Sequence, residues 1–416
     1  MKVAIYVPLD YKPTEGGGFG YIEQICFSLL ETKHKKIQII PLFVNQGGER
    51  IIEESYFYQK FRQKYECILF NYPSVEPPLI LKGIRKLSKI LKMKSYTALF
   101  ESWVEASIKF LKESNQKALD EVLKKYQIDL VYYPMPTEKY HFGVPYITTV
   151  WDLIHLKAPF LPEISESNQF ELREDFYHQI LRKATYIICE SGQGKQELLT
   201  YYQLNPEKVK ILPMFPSKVI EITVTQEEKD NWLKSKSLEY KKFIFYPAQF
   251  WGHKNHYTLL YALDILRKKY SIEMKLVFTG SNKGNWQYIE SNIEKLGLEK
   301  NILNLGFVST KEIKMLYETT LALVMPTLYD PTSIPVMEAM YSGCAVVCSE
   351  NQGHQEQVGD YAQYVNPLLA EDIAEKIFNT LQSPKTKKIP QYESTNIIKP
   401  LWDMIEEYGC IRSLWA

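Results

Sequence analysis

Long hydrophobic runs are absent from this sequence of 416 residues. No stretch approaches the roughly 18 consecutive apolar residues that a membrane-spanning helix needs. The N-terminal stretch MKVAIYVPLD has too short an apolar run for the core of a secretory signal, and its length suits a first β-strand. We therefore expect a cytoplasmic protein.

An excess of charge of either sign is also missing. The chain has 50 basic and 49 acidic residues, which gives a formal net charge of +1. Such a chain has no global field that would attract nucleic acid, so any anion-binding site must be local. We expect no nucleic-acid partner.

Clusters of metal-ligating residues are lacking as well. Cys344 and Cys348 have no second Cys/His pair that would make a zinc site, and no acid or cysteine completes a set with His253 and His256. The six cysteines are scattered and mostly lie in apolar runs, which indicates reduced thiols in the core. The sequence thus predicts neither a metal nor a cofactor.

Apolar, β-rich runs alternate with helical patterns along the chain, and this alternation is typical of parallel sheets. A chain of 416 residues is too long for one ordinary core, so two domains of about 200 residues each are expected. The runs lie at residues 3–8, 37–44, 66–70, 128–134, 146–150 and 185–190 and, in a second set, at 243–247, 274–280, 302–307 and 321–326.

A polar and charged stretch separates the two sets of runs and marks the predicted domain boundary. We predict a first domain over residues 1–216, a linker region over 217–242 and a second domain over 243–395. Residues 382–394 have the character of another linker, and a helix-like tail follows over 396–416.

Residues 328–343, LYDPTSIPVMEAMYSG, follow a continuous apolar run and have the pattern of a loop that opens into a helix. This pattern places Asp330 on a loop at the carboxyl end of a strand and Glu338 in the first turns of a helix. In open α/β sheets, ligands bind at this edge, where helix N–H groups favour phosphate. Two interpretations are open. The acids hold the hydroxyls of a sugar or ribose, or they are a solvated loop acid and a capping glutamate.

This segment resembles the donor-site signature of the retaining nucleotide-sugar glycosyltransferases of the GT-B fold, family 4 (glycosyl transferases group 1), in which two glutamates flank seven residues. The resemblance continues through residues 345–367 and 246–263, and more weakly through a glycine-rich stretch near the N-terminus and the region of Trp151. It implies an α/β fold in which an N-terminal acceptor domain and a C-terminal donor domain, both Rossmann-like, face each other across a cleft. The last helix would cross back to the first domain.

The resemblance also implies an activity. It is the transfer of a sugar, with retention at the anomeric carbon, from a nucleoside diphosphate sugar to a glycan, lipid-linked or other acceptor in cell-surface polysaccharide or glycoconjugate assembly. An arginine and a lysine neutralise the diphosphate in this family. Here Gln249 takes the arginine position and Lys254 the lysine position, and a glutamine amide can still donate a hydrogen bond.

Further donor contacts follow from the same resemblance. Glu338 takes the position of the ribose-binding glutamate, whereas Asp330 replaces the more usual glutamate that meets the sugar and reaches about one methylene less far. The remaining predicted donor contacts are Thr332, Ser333, Ile334, Gly280, Phe307 and Val308.

Four glycines, Gly16, Gly17, Gly18 and Gly20, stand before a helical pattern near the N-terminus. Glycines let the backbone approach a ligand closely. We predict a flexible loop that faces donor and acceptor, with a merely mobile turn as the alternative.

Trp151, Asp152 and His155 follow the predicted strand at 146–150. Relatives have a histidine directly before this aspartate, close to the transferred sugar, whereas this chain has Trp151. His155 either supplies the missing polar group or is a structural histidine, and Asp152 is either functional or a helix cap. Neither residue has an evident orienting partner in the sequence. The catalytic candidates are Lys254, Asp330, Asp152 and His155.

Residues 81–95, LKGIRKLSKILKMKS, combine basic residues with apolar residues at helical spacing and contain no acid. Such a helix suits an anionic membrane surface, where acceptors of surface-glycan assembly are anchored, and would hold the protein at the inner face of the membrane. The alternative is a surface helix whose apolar stripe packs on the sheet.

Two other functions are consistent with the sequence. A sugar-nucleotide 2-epimerase shares the fold but needs a denser set of carboxylates and histidines. A donor-binding protein without catalysis would explain why Gln249, Asp330 and Trp151 all depart from the family pattern.

Overall fold

A computed structural model describes residues 1–13, 16–45, 48–71, 114–136, 143–166, 168–382 and 398–414. The predicted basic helix at residues 81–95 lies outside the described residues, as does nearly all of the predicted linker at 382–394. All statements about the structure below concern the described part.

Two parallel sheets organise the described residues. The strands are β1 (Lys2–Tyr6), β2 (Gln38–Asn45), β3 (Ile68–Asn71), β4 (Leu130–Tyr133), β5 (Tyr146–Thr149), β6 (Tyr186–Cys189), β7 (Val209–Ile211), β8 (Phe243–Pro247), β9 (Lys275–Thr279), β10 (Ile302–Asn304), β11 (Ala322–Met325), β12 (Ala345–Ser349) and β13 (Gln363–Val365). The first sheet has the order β3-β2-β1-β4-β5-β6-β7, and the second has the order β10-β9-β8-β11-β12-β13. Neighbours such as β1–β2, β8–β9 and β11–β12 run parallel. The predicted α/β class with two Rossmann-like sheets is confirmed.

Helices connect the strands. They span Gly17–Glu31, Glu49–Glu54, Tyr56–Phe61, Ile154–Lys157, Pro162–Ser165, Gln169–Ile180, Gly192–Tyr202, Gln226–Ser235, His256–Tyr270, Trp286–Leu296, Thr310–Thr319, Ile334–Tyr341, Gln352–Val358, Ala370–Gln382 and Lys399–Ser413. Residues 114–125 are helical as well. Single 3₁₀ turns lie at Leu181–Lys183, Lys218–Glu221, Gly252–Lys254 and Gly359–Tyr361.

The central strands are buried on both faces, as their unbroken apolar runs predict. All four residues of β11 and of β4 are buried. Each predicted run overlaps an observed strand. Three strands had no counterpart among these runs: β12 and the edge strands β7 and β13, which have three residues each. An edge strand of that length contains too few side chains to produce a recognisable pattern.

The described residues divide into two compact units. One comprises Met1–Lys12, Ile25–Thr148 and Lys183–Thr185, and the larger one comprises Pro13–Gln24, Thr149–Arg182 and Tyr186–Ala416. Every residue that the sequence analysis proposes for the site lies in the larger unit. These units are defined by the contacts within each of them, and their boundaries differ from those of the predicted domains. The predicted domain boundaries stay a prediction.

The region predicted as a linker is folded into the core of the second sheet. Thr225 and Glu228 form a capping box that starts the helix Gln226–Ser235. Trp232 and Leu233 on this helix are buried in the same hydrophobic cluster as β8 and β11. Most side chains of this amphipathic helix are polar, which is why the segment has the composition of a linker.

The tail forms the predicted helix, Lys399–Ser413. Its residues Leu401, Trp402 and Ile405 are buried. Glu407 lies 3.5 Å from the amine of Lys210, which belongs to the edge strand β7 of the first sheet. The last helix thus lies beside β7, and this agrees with the resemblance.

None of the helices in the described ranges combines the length and the apolar character that crossing a bilayer requires. The described cysteines are all free thiols, and most of them are buried.

Replacing Trp232 with alanine tests whether the polar region belongs to the core of the second sheet. Because the ring is buried and its Nε1 donates to Glu312 at 3.1 Å, we expect the free energy of unfolding in urea to fall by about 3–5 kcal/mol. Tyr240→Ala, in the same region but 57% exposed, serves as the control and should change it by about 0.5 kcal/mol. Equal midpoints for the two variants would mean that residues 217–242 are a true linker.

Candidate functional site

The loops that follow β8 and β11 lie side by side at the carboxyl edge of the second sheet. The N–H of Leu328 donates to the carbonyl of His253 at 2.8 Å, and the Thr327 hydroxyl donates to the same oxygen at 3.2 Å. The Tyr246 hydroxyl donates to the carbonyl of Lys254 at 2.6 Å. These bonds fix the backbone from which Lys254 extends.

Lys254 and Asp330 form an ion pair across these two loops. The amine nitrogen of Lys254 lies 2.7 Å from Oδ2 of Asp330, and the side chains are 18% and 19% exposed. Two catalytic candidates, 76 residues apart in sequence, are therefore brought together. The two side chains come together because β8 and β11 are adjacent parallel strands, so that their following loops lie at the same edge of the sheet.

The Asp330 loop rests on a neighbouring helix, Gln352–Val358. Asn351, which caps this helix, donates from its side chain to the carbonyl of Asp330 at 3.2 Å. Gly353 lies so close that a Cβ at this position would come within 1.5 Å of the Pro331 carbonyl oxygen. The sequence analysis did not single out either residue.

Thr332 and Ser333, at the start of the helix Ile334–Tyr341, are each 4% exposed. The Thr332 hydroxyl donates to Glu190, and the Ser333 hydroxyl lies 3.2 Å from the sulfur of Met325. The Ser333 N–H donates to the side chain of Gln357 at 2.8 Å. Both hydroxyls and the Ser333 N–H thus have partners within the protein, and the predicted donor contacts of Thr332 and Ser333 stay a prediction.

Glu338 is buried on the same helix. One carboxylate oxygen accepts from the Tyr317 hydroxyl at 2.9 Å, and the other accepts from the hydroxyl and the N–H of Ser217. Burial raises the pKa of Glu338, although these hydrogen bonds oppose the shift. Its predicted contact with ribose stays a prediction, which the one lone pair left on Oε2 permits.

The remaining predicted donor residues lie at the ends of β8, β9 and β10. The Gln249 side-chain oxygen accepts from the indole nitrogen of Trp251 at 3.0 Å. Gly280 has a φ of +135°, and a Cβ there would come within 2.5 Å of the Ala248 carbonyl oxygen, so only glycine allows this approach. Phe307 is 61% exposed and Val308 is partly buried.

Asp152 has an orienting partner that the sequence did not reveal. Arg173 donates to both of its carboxylate oxygens, at 2.8 and 3.3 Å, and the Ile154 N–H donates to one of them at 3.0 Å. Burial opposes ionisation, but the charge and hydrogen bonds of Arg173 outweigh it and hold the pKa of Asp152 below its usual value. Asp152 is therefore a fixed carboxylate that also pairs with the first turn of a helix.

His155 is fully buried. Its Nε2 lies 2.9 Å from a carboxylate oxygen of Glu174 and 3.3 Å from the hydroxyl of Tyr202. Its ring stacks on Tyr177 with centroids 5.5 Å apart. Burial lowers the pKa of His155 against the opposing influence of Glu174. Of the two interpretations left open, the structural histidine is the one that fits, and the catalytic role proposed for His155 is corrected.

The glycine-rich stretch is mostly helix rather than loop. Gly17, Gly18 and Gly20 lie within the helix Gly17–Glu31, and only Gly16, with a φ of +77°, precedes it. A Cβ on Gly17 would lie 3.3 Å from the terminal methyl of Ile334. The predicted flexible loop is thus corrected to a helix start that packs beside the helix Ile334–Tyr341.

Comparison with known proteins shows which family the segment around this site matches. Residues 228–396, which carry Lys254, Asp330 and Glu338, match the family described as glycosyl transferases group 1. These residues form a group 1 glycosyl transferase domain. The resemblance drawn from the sequence is thereby confirmed.

The relatives of this chain include mannosyltransferases. The O-antigen chain mannosyltransferase B of Escherichia coli is 22% identical over 237 residues, which cover 55% of this chain and 60% of that protein. The O-antigen chain mannosyltransferase RfbU of Salmonella typhimurium is 24% identical over 204 residues, which cover 49% of this chain and 53% of that protein. The chain thus spans less than two thirds of the length of these relatives.

The fold extends beyond the matched domain. A crystal structure of a glycosyltransferase from Rickettsia africae superimposes with a TM-score of 0.66 at 18% identity and covers 99% of this chain and 98% of that one. At that identity the comparison establishes the fold, and it agrees with the predicted GT-B architecture.

Gly353→Ala tests how far the glycosyl transferase domain depends on the close approach to Pro331. Because the new methyl would overlap a backbone oxygen, the Asp330 loop must move, and we expect the free energy of unfolding to fall by about 3 kcal/mol or more. Gly20→Ala is the control, since its Cβ would meet Ser217 at an ordinary 3.5 Å within a helix and should stabilise by up to about 1 kcal/mol. A Gly353→Ala protein as stable as wild type, measured in urea, would contradict the described packing.

Proposed function

We propose that the chain is a retaining glycosyltransferase that moves a mannosyl residue from a nucleoside diphosphate donor to an acceptor hydroxyl in surface-polysaccharide assembly. The observation that carries the proposal is the Lys254–Asp330 pair, which lies at a helix start on the carboxyl edge of the second sheet and inside the matched family segment. Mannose is chosen because two relatives of this chain are named as O-antigen chain mannosyltransferases.

Lys254 is suited to stabilise a departing diphosphate. Its ammonium group has three donors, so it can keep its bond to Asp330 while it donates to phosphate oxygens. The side chain is 18% exposed, and a charge partly withdrawn from water acts more strongly than one on the surface. Asp330 holds the amine in place and offers its second oxygen to a sugar hydroxyl.

Gln249 stabilises the charge of the departing diphosphate less than an arginine at this position would. Its side-chain oxygen is bonded to Trp251, an arrangement that frees the amide nitrogen to donate to a phosphate oxygen. A neutral donor stabilises charge less than a guanidinium does. We therefore expect Gln249→Arg to raise turnover rather than to lower it.

Retention is proposed because the site provides poorly for a general base. An inverting transferase needs a base within hydrogen-bond reach of the attacking hydroxyl. Asp152 is committed to Arg173 and has a lowered pKa, and His155 is fully buried against Glu174. The alternative is attack from the face of the leaving group, with the departing phosphate oxygen taking the proton, and this route needs no protein base.

We further propose a glycan or lipid-linked acceptor, action on the cytoplasmic side, and docking on an anionic membrane surface through residues 81–95. That segment lies outside the described residues.

A panel of nucleoside diphosphate sugars with purine and pyrimidine bases, GDP-mannose among them, tests the proposal. Transfer or slow hydrolysis supports a transferase, binding alone supports a donor-binding protein, and a change at C2 of the sugar supports an epimerase.

Lys254→Ala should lower kcat by about 100-fold or more, because one electrostatic contact to a charge that develops in the transition state is worth about 3 kcal/mol. The fold should lose less than about 1 kcal/mol, since the ion pair is partly exposed. Lys268→Ala is the matched control, because Lys268 also lies 2.7 Å from an aspartate, Asp264, but on the helix that follows. If Lys254→Ala turned over donor as fast as Lys268→Ala, the diphosphate would have to bind elsewhere.

The anomeric configuration of the product provides an independent test of mechanism. With no base placed for inversion, an α-linked donor should give an α-linked product, and the reaction should continue in the presence of a chelator. Proton and carbon NMR of the product, including the one-bond anomeric coupling, measure the first point, and an EDTA titration measures the second. A β-linked product from that donor is incompatible with the proposed retention.

A further inference from the structure

A cavity beside the Asp330 loop contains a buried acid that the proposed function does not use. The cavity lies within the larger unit, where the chain leaves β5 and β6. Its lining includes Trp151, Asp152, Glu190, Glu197, Tyr329 and Pro331. Two of these residues directly flank Asp330, so the cavity lies next to the site proposed for the donor.

The wall of the cavity is held by hydrogen bonds. The Tyr329 hydroxyl donates to a carboxylate oxygen of Glu197 at 2.6 Å and accepts from the Leu153 N–H at 3.3 Å. Tyr329 is 9% exposed. The loop that carries Asp330 and Pro331 therefore lies in a fixed position against the residues that follow β5.

Glu190 is the unusual member of this lining. Only 6% of the residue is exposed. The Thr332 hydroxyl donates to one carboxyl oxygen, Oε2. The other, Oε1, is buried and has no hydrogen-bond partner among the described residues. An unpaired buried oxygen costs free energy that a bound polar group would recover.

The environment of Glu190 decides its protonation state. Burial, reinforced by the nearby charges of Asp330 and Asp152, raises the pKa of Glu190 to about 8. The acids around it already have partners. Asp152 pairs with Arg173, and Asp330 pairs with Lys254. Glu197 accepts from Tyr329 and lies 3.7 Å from the amine of Lys157. With its pKa raised to about 8, Glu190 is a neutral carboxylic acid at pH 7. Oε2 contacts Thr332, which leaves Oε1 as the oxygen that can present the acid proton to a ligand.

We propose that Glu190 is a specificity-determining residue that donates a hydrogen bond from Oε1 to one hydroxyl of the transferred sugar. This inference rests on the proposed function. A sugar hydroxyl both accepts and donates. It accepts from the acid proton of Glu190 and donates to a neighbouring carboxylate, for which Asp330 is placed on the adjoining loop. An ionised glutamate offers no such donor.

The transferred sugar is favoured over the acceptor because of the chain segment that holds Glu190. Its hydrogen-bond partner, Thr332, lies between Asp330 and the start of the helix Ile334–Tyr341. The segment that holds the diphosphate partner Lys254 in place thus also holds Glu190. We therefore assign the hydroxyl to a sugar bonded to that diphosphate.

Two variants of the full-length protein separate a hydrogen-bond donor from a space-filling side chain. Glu190→Gln keeps the shape and supplies an amide donor, whereas Glu190→Leu keeps the volume and supplies none. Calorimetry at pH 6.5 with GDP-mannose, UDP-glucose and the free nucleotides should show the Leu variant binding the preferred sugar nucleotide about 30-fold more weakly, with free nucleotide affinity unchanged. The Gln variant should recover most of that loss.

The pH dependence gives the second readout. Between pH 6.5 and pH 9.5, wild-type affinity for the sugar nucleotide should fall about tenfold relative to that for the free nucleotide, because Glu190 ionises and its donor is lost. The Gln variant cannot ionise and should lose no such affinity. This comparison needs only wild type and the Gln variant, so it tests the donor role of Glu190 even if the Leu variant fails to fold.

Folding stability checks the protonation state without any ligand. The folded protein keeps the Glu190 proton up to about pH 8, whereas the unfolded chain releases it near pH 4.5. Wild type should therefore lose stability relative to Glu190→Gln as the pH rises through this window. Stability curves that stay parallel would overturn the assignment of Glu190 as a neutral acid.

The remaining outcomes distinguish the inference from the function on which it rests. If wild type transfers sugar but both variants bind the sugar nucleotide as wild type does, the role of Glu190 is wrong and the transferase stands. If the Leu variant raises only the KM of the acceptor, the hydroxyl belongs to the acceptor and the assignment to the transferred sugar is overturned. If wild type neither binds nor turns over a sugar nucleotide, both proposals fail.

Discussion

The ion pair of Lys254 with Asp330 depends on the adjacency of two parallel strands, and the candidate site is built around it. Because β8 and β11 are neighbours, their following loops end at one edge, and backbone bonds from Leu328 and Thr327 to His253 join them. The Asp330 loop is then fixed from the other side by Asn351 and the close approach of Gly353. A lysine and an aspartate held in this way need no reorganisation when a charged ligand arrives.

The carboxyl groups near this pair differ in state because their partners differ. Asp152 is paired with Arg173 and stays ionised, whereas Glu190 has a hydroxyl partner and no cation, and burial keeps it protonated at neutral pH. Glu338 lies between these cases, with raised pKa but donors on both oxygens. Identical chemical groups thus provide acceptors in one place and a donor in another.

Apolar runs and their spacing were enough to predict the two sheets, the loop position of Asp330 and the helical position of Glu338, because these features depend on local sequence. The partners of the site residues were not predictable in the same way. Arg173, Ser217 and Gly353 meet their partners only through the tertiary fold. The N-terminal glycines were misjudged as a loop, since helix packing beside Ile334 overrides the low helix propensity of glycine.

The helix Gln226–Ser235 affects how the matched domain can be isolated. Trp232 and Leu233 contribute to the same core as β8 and β11, and Ser217 bonds to Glu338. A recombinant fragment that began at the first strand of the second sheet would expose an apolar surface and would leave a buried acid without two of its donors. A fragment that began a few residues before Ser217 would keep both features. Domain-swap chimaeras should therefore be joined before the polar region and not within it, although the composition of that region resembles a linker.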